Sequence, residues 1–322
     1  MDSASLITTP FDASSTADDV VEGVDLHGRQ AVVTGASSGL GVETARALAA
    51  AGATVTLAVR DVQVGAVAAA HIAAVTGRSR PQVRPLDLAD SSSIAAFATG
   101  WDVPLDLLVN NAGLVTAGLL RSIAGWELQL ATNHLGHFAL SLGLHAHLAA
   151  AAAAHGQARV VALSSTAHMR APVELDDLHF HRRPYDPQIA YAQSKTASSL
   201  FAVEASRQWQ SDGITVNAVN PGGVRTGLQR HFSDEQKRSL DAAEAAGIFA
   251  YKTPQQGAAT TLVACVAPEL TGIGGRYLDD CREAYTVPND ATLAEHPHGV
   301  KQWALDPAGA RDLWRVSKAL TT

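Results

Sequence analysis

Cysteine is nearly missing from this chain of 322 residues, in which Cys265 and Cys281 are the only two. Two thiols cannot build a disulfide framework, and their scarcity fits a reducing compartment. Basic residues are also few: 24 Lys and Arg stand against 31 Asp and Glu, a net charge of -7. With no basic stripe to neutralise phosphates, nucleic acid is excluded as the main partner. No stretch of ~18 apolar residues occurs, so no transmembrane helix and no membrane partner are expected. The alanine block Ala149 to Ala154 reads as the end of a helix. Residues 1–24 lack the cationic start and apolar stretch of a secretion signal and are expected to form a polar tail. The expectation is a cytoplasmic protein. Charged residues make up only 17% against 47% hydrophobic, which leaves ample material for a core and argues against disorder.

What is present is alternation. Gln30 to Thr34, Thr54 to Val59, Val83 to Leu86, Leu105 to Val109, Arg159 to Leu163, Thr215 to Val219 and Gly275 to Leu278 are apolar runs of strand length. Helical stretches lie between them: Thr44 to Ala51, Val62 to Val75, Ser92 to Ala98, about Gly125 to Ala154, and Tyr191 to Trp209. Buried strands separated by helices predict a parallel sheet of about seven strands covered on both faces, a single-domain, doubly wound α/β Rossmann fold over residues 25–322.

The first strand runs into Thr34-Gly35-Ala36-Ser37-Ser38-Gly39-Leu40-Gly41. Glycines let a backbone turn sharply against a pyrophosphate, and the following helix start offers free N–H groups. The second strand ends in Val59-Arg60 where an acidic residue would select NAD. Arg60 suits a 2′-phosphate, which predicts NADP over NAD. Asp61 either offsets Arg60 or begins the next helix.

Tyr191 and Lys195 are spaced to share one helix face. An ammonium one turn away is expected to lower the phenol pKa and make Tyr191 an acid/base. With these motifs the chain resembles the short-chain dehydrogenase/reductase family over residues 26 to 280. Asn110-Asn111-Ala112-Gly113, Asp87-Leu88 and Pro221-Gly222-Gly223-Val224-Arg225-Thr226 match further family motifs. The resemblance implies a catalytic set of Asn133, Ser165, Tyr191 and Lys195, with Ser164 as a rival to Ser165. It implies cofactor contacts from Gly35, Ser37, Ser38, Gly39, Leu40, Gly41, Arg60, Asp87, Leu88, Asn111, Ala112, Gly113, Tyr191, Lys195, Pro221, Gly222, Val224 and Thr226. In the family the lysine also binds the nicotinamide ribose, and the asparagine helps hold a water that links the lysine to solvent.

Asn133-His134-Leu135-Gly136-His137-Phe138, the long gap between Ser165 and Tyr191, and the C-terminal Trp303 to Pro307 and Leu313-Trp314 resemble the retinol-dehydrogenase-like subgroup. The implied activity is interconversion of an alcohol and its ketone or aldehyde with NADP(H), on a small-molecule substrate. The two competing functions are a dinucleotide-binding redox sensor and a nucleotide-sugar epimerase or dehydratase. The intact set of four argues against the sensor, and the glycine spacing argues against the epimerase.

Residues 225–252, with Phe232, Phe249 and Tyr251, correspond to the family's substrate lid. His168 to Ile189 either borders the substrate pocket or covers a sheet edge, and 281–322 is a C-terminal extension. The resemblance further implies a homodimer or homotetramer built through the Gly125–Ala154 and Tyr191–Trp209 helices, unless the insertion before Tyr191 blocks it and leaves a monomer. The histidine pairs His134/His137, His145/His147, His179/His181 and His296/His298 bring no third ligand at metal spacing, so no metal site is expected.

Overall fold

The computed structural model describes residues 6–225, 238, 241–242, 244 and 250–322. Strands β1 (Gln30–Thr34), β2 (Thr54–Val59), β3 (Gln82–Pro85), β4 (Leu107–Asn110), β5 (Ala158–Leu163), β6 (Ile214–Asn220) and β7 (Tyr277–Asp279) pair in parallel in the order 3-2-1-4-5-6-7. An antiparallel β8 (Arg282–Glu283) extends the sheet to eight. The order reverses between β1 and β4, which opens a crevice at the carboxyl ends of the strands.

One face carries α1 (Ala17–Val21), α2 (Gly39–Ala50), α3 (Val62–Thr76) and α9 (Pro254–Val266). The other carries α4 (Ser91–Thr99), α6 (Gly136–Gly143), α7 (His145–His155) and α8 (Pro187–Trp209). Both faces of the central strands are therefore dry, which is why β4, β5 and β6 are buried at every position.

Four features differ from the sequence expectations. The polar N-terminus is part of the fold: Thr16 and Asp19 form a capping box for α1, whose Ala17, Val20 and Val21 are buried in the core. Ile7 and Thr9 hydrogen-bond Glu283 and the Cys281 carbonyl. Helix α9 lies where no element was expected, and so does α10 (Pro307–Thr321). The long helix expected from Gly125 is broken. It begins as α5 (Leu128–Leu130), passes through a π turn (Ala131–Leu135) into α6, and bends by 58° into α7. Among the described residues no single helix is long and apolar enough to cross a membrane.

Helix α10 packs along α8 and α6. Trp314 meets Phe138 at 4.9 Å, Trp209 at 5.7 Å and Phe201 at 6.2 Å between ring centroids. Leu178 from the extension before Tyr191 joins Leu130, Leu200 and Leu313 in the same apolar cluster. The helices through which the resemblance implies subunit contacts are thus partly covered from within the chain.

Gly136 shows how closely these layers approach. A Cβ there would stand 2.2 Å from the Leu88 carbonyl oxygen, a backbone atom that no side-chain rotation can move. Gly136→Ala should therefore cost about 1–3 kcal/mol of stability by overpacking. Denaturant unfolding of the two proteins checks this, and equal midpoints would count against it.

Candidate active site

The carboxyl end of β1 carries the glycine loop. Thr34 is buried, and its Oγ1 accepts the Asn111 and Ala112 N–H groups at 2.9 Å each. Asn111 returns its side-chain amide to the Thr34 carbonyl at 2.8 Å. The turn after β1 and the turn after β4 are thereby held together. Gly35 and Gly39 have φ of 65° and 57°, the left-handed region that side chains avoid. Ser38 precedes α2 without a side-chain cap, and the first turn of α2 has no acidic residue. That leaves the N–H groups of this helix start open to an anion, which fits a dinucleotide pyrophosphate. Val224, above the loop, packs with Leu40 around Gly257.

At the end of β2, Arg60 is exposed and makes no ion pair among the described residues. Asp61 does not answer it. Its carboxylate caps α3, accepting the Gln63 and Val64 N–H groups at 2.9 and 3.1 Å. Asp87 bonds its own turn through the Ala89 N–H, and Leu88 is buried against Gly136. Pro221 and Gly222 follow β6, with Gly222 at φ 79° beside Lys252. Thr226 and most of the expected lid lie outside the described residues.

The four expected catalytic positions come together at the same crevice. Asn133 sits inside the π turn, a distortion common at functional sites. Its amide clamps the Leu114 backbone from both sides, Oδ1 on the N–H at 2.9 Å and Nδ2 on the carbonyl at 3.1 Å, and also reaches Ser194 Oγ at 2.9 Å. Ser165 is the N-cap of the turn Thr166–Arg170, and its Oγ accepts the Ala167 N–H at 3.1 Å. Its rival Ser164 is buried and donates to the Lys195 carbonyl, which takes it out of the crevice.

Tyr191 lies beside Ser165, whose hydroxyl pulls the phenol pKa down, and the Lys195 ammonium lies 5.7 Å from the phenol ring centre. Burial pushes the phenol up to about 12, against the pull of the Ser165 hydroxyl. The shift runs opposite to the lowering expected from the lysine, because desolvation of the phenolate is the largest effect on it. Burial also pulls Lys195 down to about 8, while Nζ donates to the Leu163 carbonyl at 2.8 Å. A Cβ on exposed Gly113 would lie 3.6 Å from Lys195 Nζ and 3.5 Å from Asn133 Oδ1, so a bound molecule can approach both over this glycine.

Sequence reasoning gave His134 and His137 no metal role and no place in the site. His137 does more. Its Nδ1 lies 3.1 Å from the Asn133 carbonyl, which can only accept, and Nε2 lies 2.8 Å from Thr34 Oγ1. The ring is therefore the Nδ1–H tautomer, tying the glycine loop to the π turn. The histidine pairs form no metal site by spacing, but folding brings His298 within 4.8 Å of Asp279 and Asp280. Asn220 and Lys252 already answer those carboxylates, so the group reads as an ion-pair knot.

Comparisons with known proteins bear on the fold as a whole. The short chain dehydrogenase family model matches residues 29–237. A Streptomyces antibioticus protein described as a "Probable oxidoreductase" is 50% identical over 297 residues, 90% of this chain and 97% of the relative. Retinol dehydrogenase 12 of Homo sapiens is 40% identical over 268 residues, 82% of each chain. Among solved structures, the Pseudomonas aeruginosa RhlG/NADP active-site complex superposes with a TM-score of 0.65 at 27% identity, covering 79% of this chain and 95% of that one.

Burial holds His134 near 3, and His137 and His168 near 4, well below the ordinary histidine value. Their ring signals should stay neutral to about pH 5 in an NMR titration. Because the folded values are depressed, the unfolded chain takes up protons the fold refuses, and these groups lower stability as pH falls from ~6.5 toward 4. Protonation of all three near pH 6.5 would contradict the assignment.

Proposed function

The chain belongs to the short-chain dehydrogenase family, in its retinol-dehydrogenase-like subgroup, and from that premise we propose an NADP(H)-dependent enzyme that interconverts a primary or secondary alcohol and its aldehyde or ketone. Membership makes it an NAD(P)-dependent oxidoreductase acting on CH–OH groups. The observation that carries the finer reading is the meeting of Tyr191, Ser165 and Lys195 beside the opening over Gly113. Support for NADP comes from exposed Arg60 at the end of β2, with Asp61 spent on α3, and from the NADP complex of the Pseudomonas relative.

Arg60 would hold the 2′-phosphate, the start of α2 the pyrophosphate, and Lys195 the ribose hydroxyls beside the nicotinamide. When bound, the nicotinamide supplies hydride to the carbonyl carbon or takes it from the alcohol carbon. Tyr191, raised to about 12, is fully protonated at neutral pH, the state a proton donor requires. It gives its proton to the carbonyl oxygen, which becomes more basic than a phenolate as it turns into an alkoxide. Ser165 donates a second hydrogen bond to that oxygen, and both donors meet charge that grows toward the transition state. Lys195 stabilises the phenolate left on Tyr191, which takes its proton back from solvent. In the oxidative direction Tyr191 is the base.

Mixing the enzyme with NADPH and a panel of ketones, aldehydes and quinones, and following NADPH absorbance, tests the activity; no oxidation across the panel would favour a dinucleotide sensor. Tyr191→Phe should lower turnover by ~10²–10⁴-fold while still binding NADPH. Full turnover in that variant would sink the mechanism. Arg60→Leu should weaken NADPH binding by ~10–100-fold, the worth of a charge-assisted hydrogen bond, and leave NADH unchanged. Equal effects on both dinucleotides would remove the basis for the NADP preference.

A further inference from the structure

Behind Ser165, on the side away from the crevice, lies a buried imidazole that the mechanism above does not use. His168 is 1% exposed and belongs to the same short turn, Thr166–Arg170. Nδ1 lies 2.7 Å from the Ser165 carbonyl oxygen, and Nε2 accepts the Lys301 N–H at 3.3 Å. A carbonyl can only accept and an amide N–H can only donate, so these two partners fix the ring as the Nδ1–H tautomer. Tyr277 packs against it at 4.8 Å between ring centres with the rings tilted by 50°, its hydroxyl 3.1 Å from Nδ1. The His168 carbonyl in turn accepts the Trp303 indole N–H at 3.1 Å. Lys301 closes β10 (Gly299–Lys301), which pairs in parallel with β9 (Tyr285–Val287), so both sides of His168 are held by the C-terminal extension.

We propose that His168 is a positioning residue for Ser165, through which the C-terminal extension holds the serine hydroxyl in the active site. The Ser165 carbonyl belongs to the peptide plane that opens the turn. Rotating that plane swings the turn and with it the Ala167 N–H, the group that orients Ser165 Oγ. His168 prevents the rotation by gripping the carbonyl from inside, while Lys301 and Trp303 grip His168. The anchor is rigid because each polar atom has a partner of the correct type. This inference rests on the reading of Ser165 as a hydrogen-bond donor to the reacting oxygen.

The test is a double-mutant cycle in the full-length enzyme with NADPH and a carbonyl substrate found by the panel. His168→Phe keeps the ring volume and loses both hydrogen bonds; His168→Gln retains one donor and one acceptor. His168→Phe should lower kcat by ~10–100-fold, the usual consequence of misplacing a reacting group by about 1 Å, with KM for NADPH changed less than ~3-fold. His168→Gln should recover most of the loss. In a Ser165→Ala background, His168→Phe should cost less than ~3-fold, because its effect passes through a hydroxyl no longer there. Equal losses in both backgrounds, or a loss confined to KM for NADPH, would overturn the proposal. If Ser165→Ala alone leaves kcat intact, the role of Ser165 falls first and the proposal with it. Should His168→Phe fail to fold, Trp303→Phe in the same two backgrounds makes the same comparison.

Discussion

A buried ammonium is the constraint around which this fold is arranged. Lys195 is 5% exposed and meets one carbonyl, that of Leu163 at the end of β5, at 2.8 Å. Leaving a charge so poorly solvated is costly, and the depressed pKa of about 8 is the visible sign of that cost. Only a helix locked on several sides can hold it there. Helix α8 is buried from Ala192 to Ala202 almost without interruption, packed on β5 and β6, on the Ser165 turn, and under α10. Even the Lys195 main chain is fastened, its carbonyl accepting from Ser164 and Ser199.

A second polar knot lies one strand away and supports the first. Thr34, Asn111, His137 and Asn133 connect the glycine loop, the turn after β4 and the π turn through hydrogen bonds of 2.8 to 3.1 Å. A network satisfied in a low-dielectric interior is stiff, and partial satisfaction would be costly. The glycine loop and the π turn that carries Asn133 are thus tied to each other. The hydride-transfer chemistry proposed above needs that, since donor and acceptor must keep a fixed separation.

Much of this was legible from residues alone. The glycine loop, Asn110 to Gly113, and the Tyr191/Lys195 spacing are local patterns, and the strand alternation carries the parallel sheet. What escaped has identifiable causes. Helix α9 is buried at nearly every position from Gly257 to Cys265, so it shows no amphipathic period, although Thr253 and Gln256 spell a capping box. The π turn has no sequence signature. The spacing of Tyr191 and Lys195 revealed their closeness but not the desolvation of the phenol, which decides the sign of its shift. His168 meets partners 109 and 133 residues downstream, beyond any local pattern. The polar composition of the first residues suggested a tail, yet Thr16-Ala17-Asp18-Asp19-Val20-Val21 contains both a cap and an apolar face.

The neck formed by Val224 and Lys252 has a consequence for the length of chain it closes. These two residues bridge in parallel, the Lys252 N–H bonds the Gly223 carbonyl at 2.8 Å, and the Lys252 ammonium is paired with Asp280 at the sheet end. Both ends of the segment between them are therefore fastened to the core and to each other. Doubling the length of a loop closed at such a neck costs only ~0.6 kcal/mol of closure entropy. A change in the length of chain between these two residues therefore costs little at the neck and leaves the sheet end it is fastened to in place.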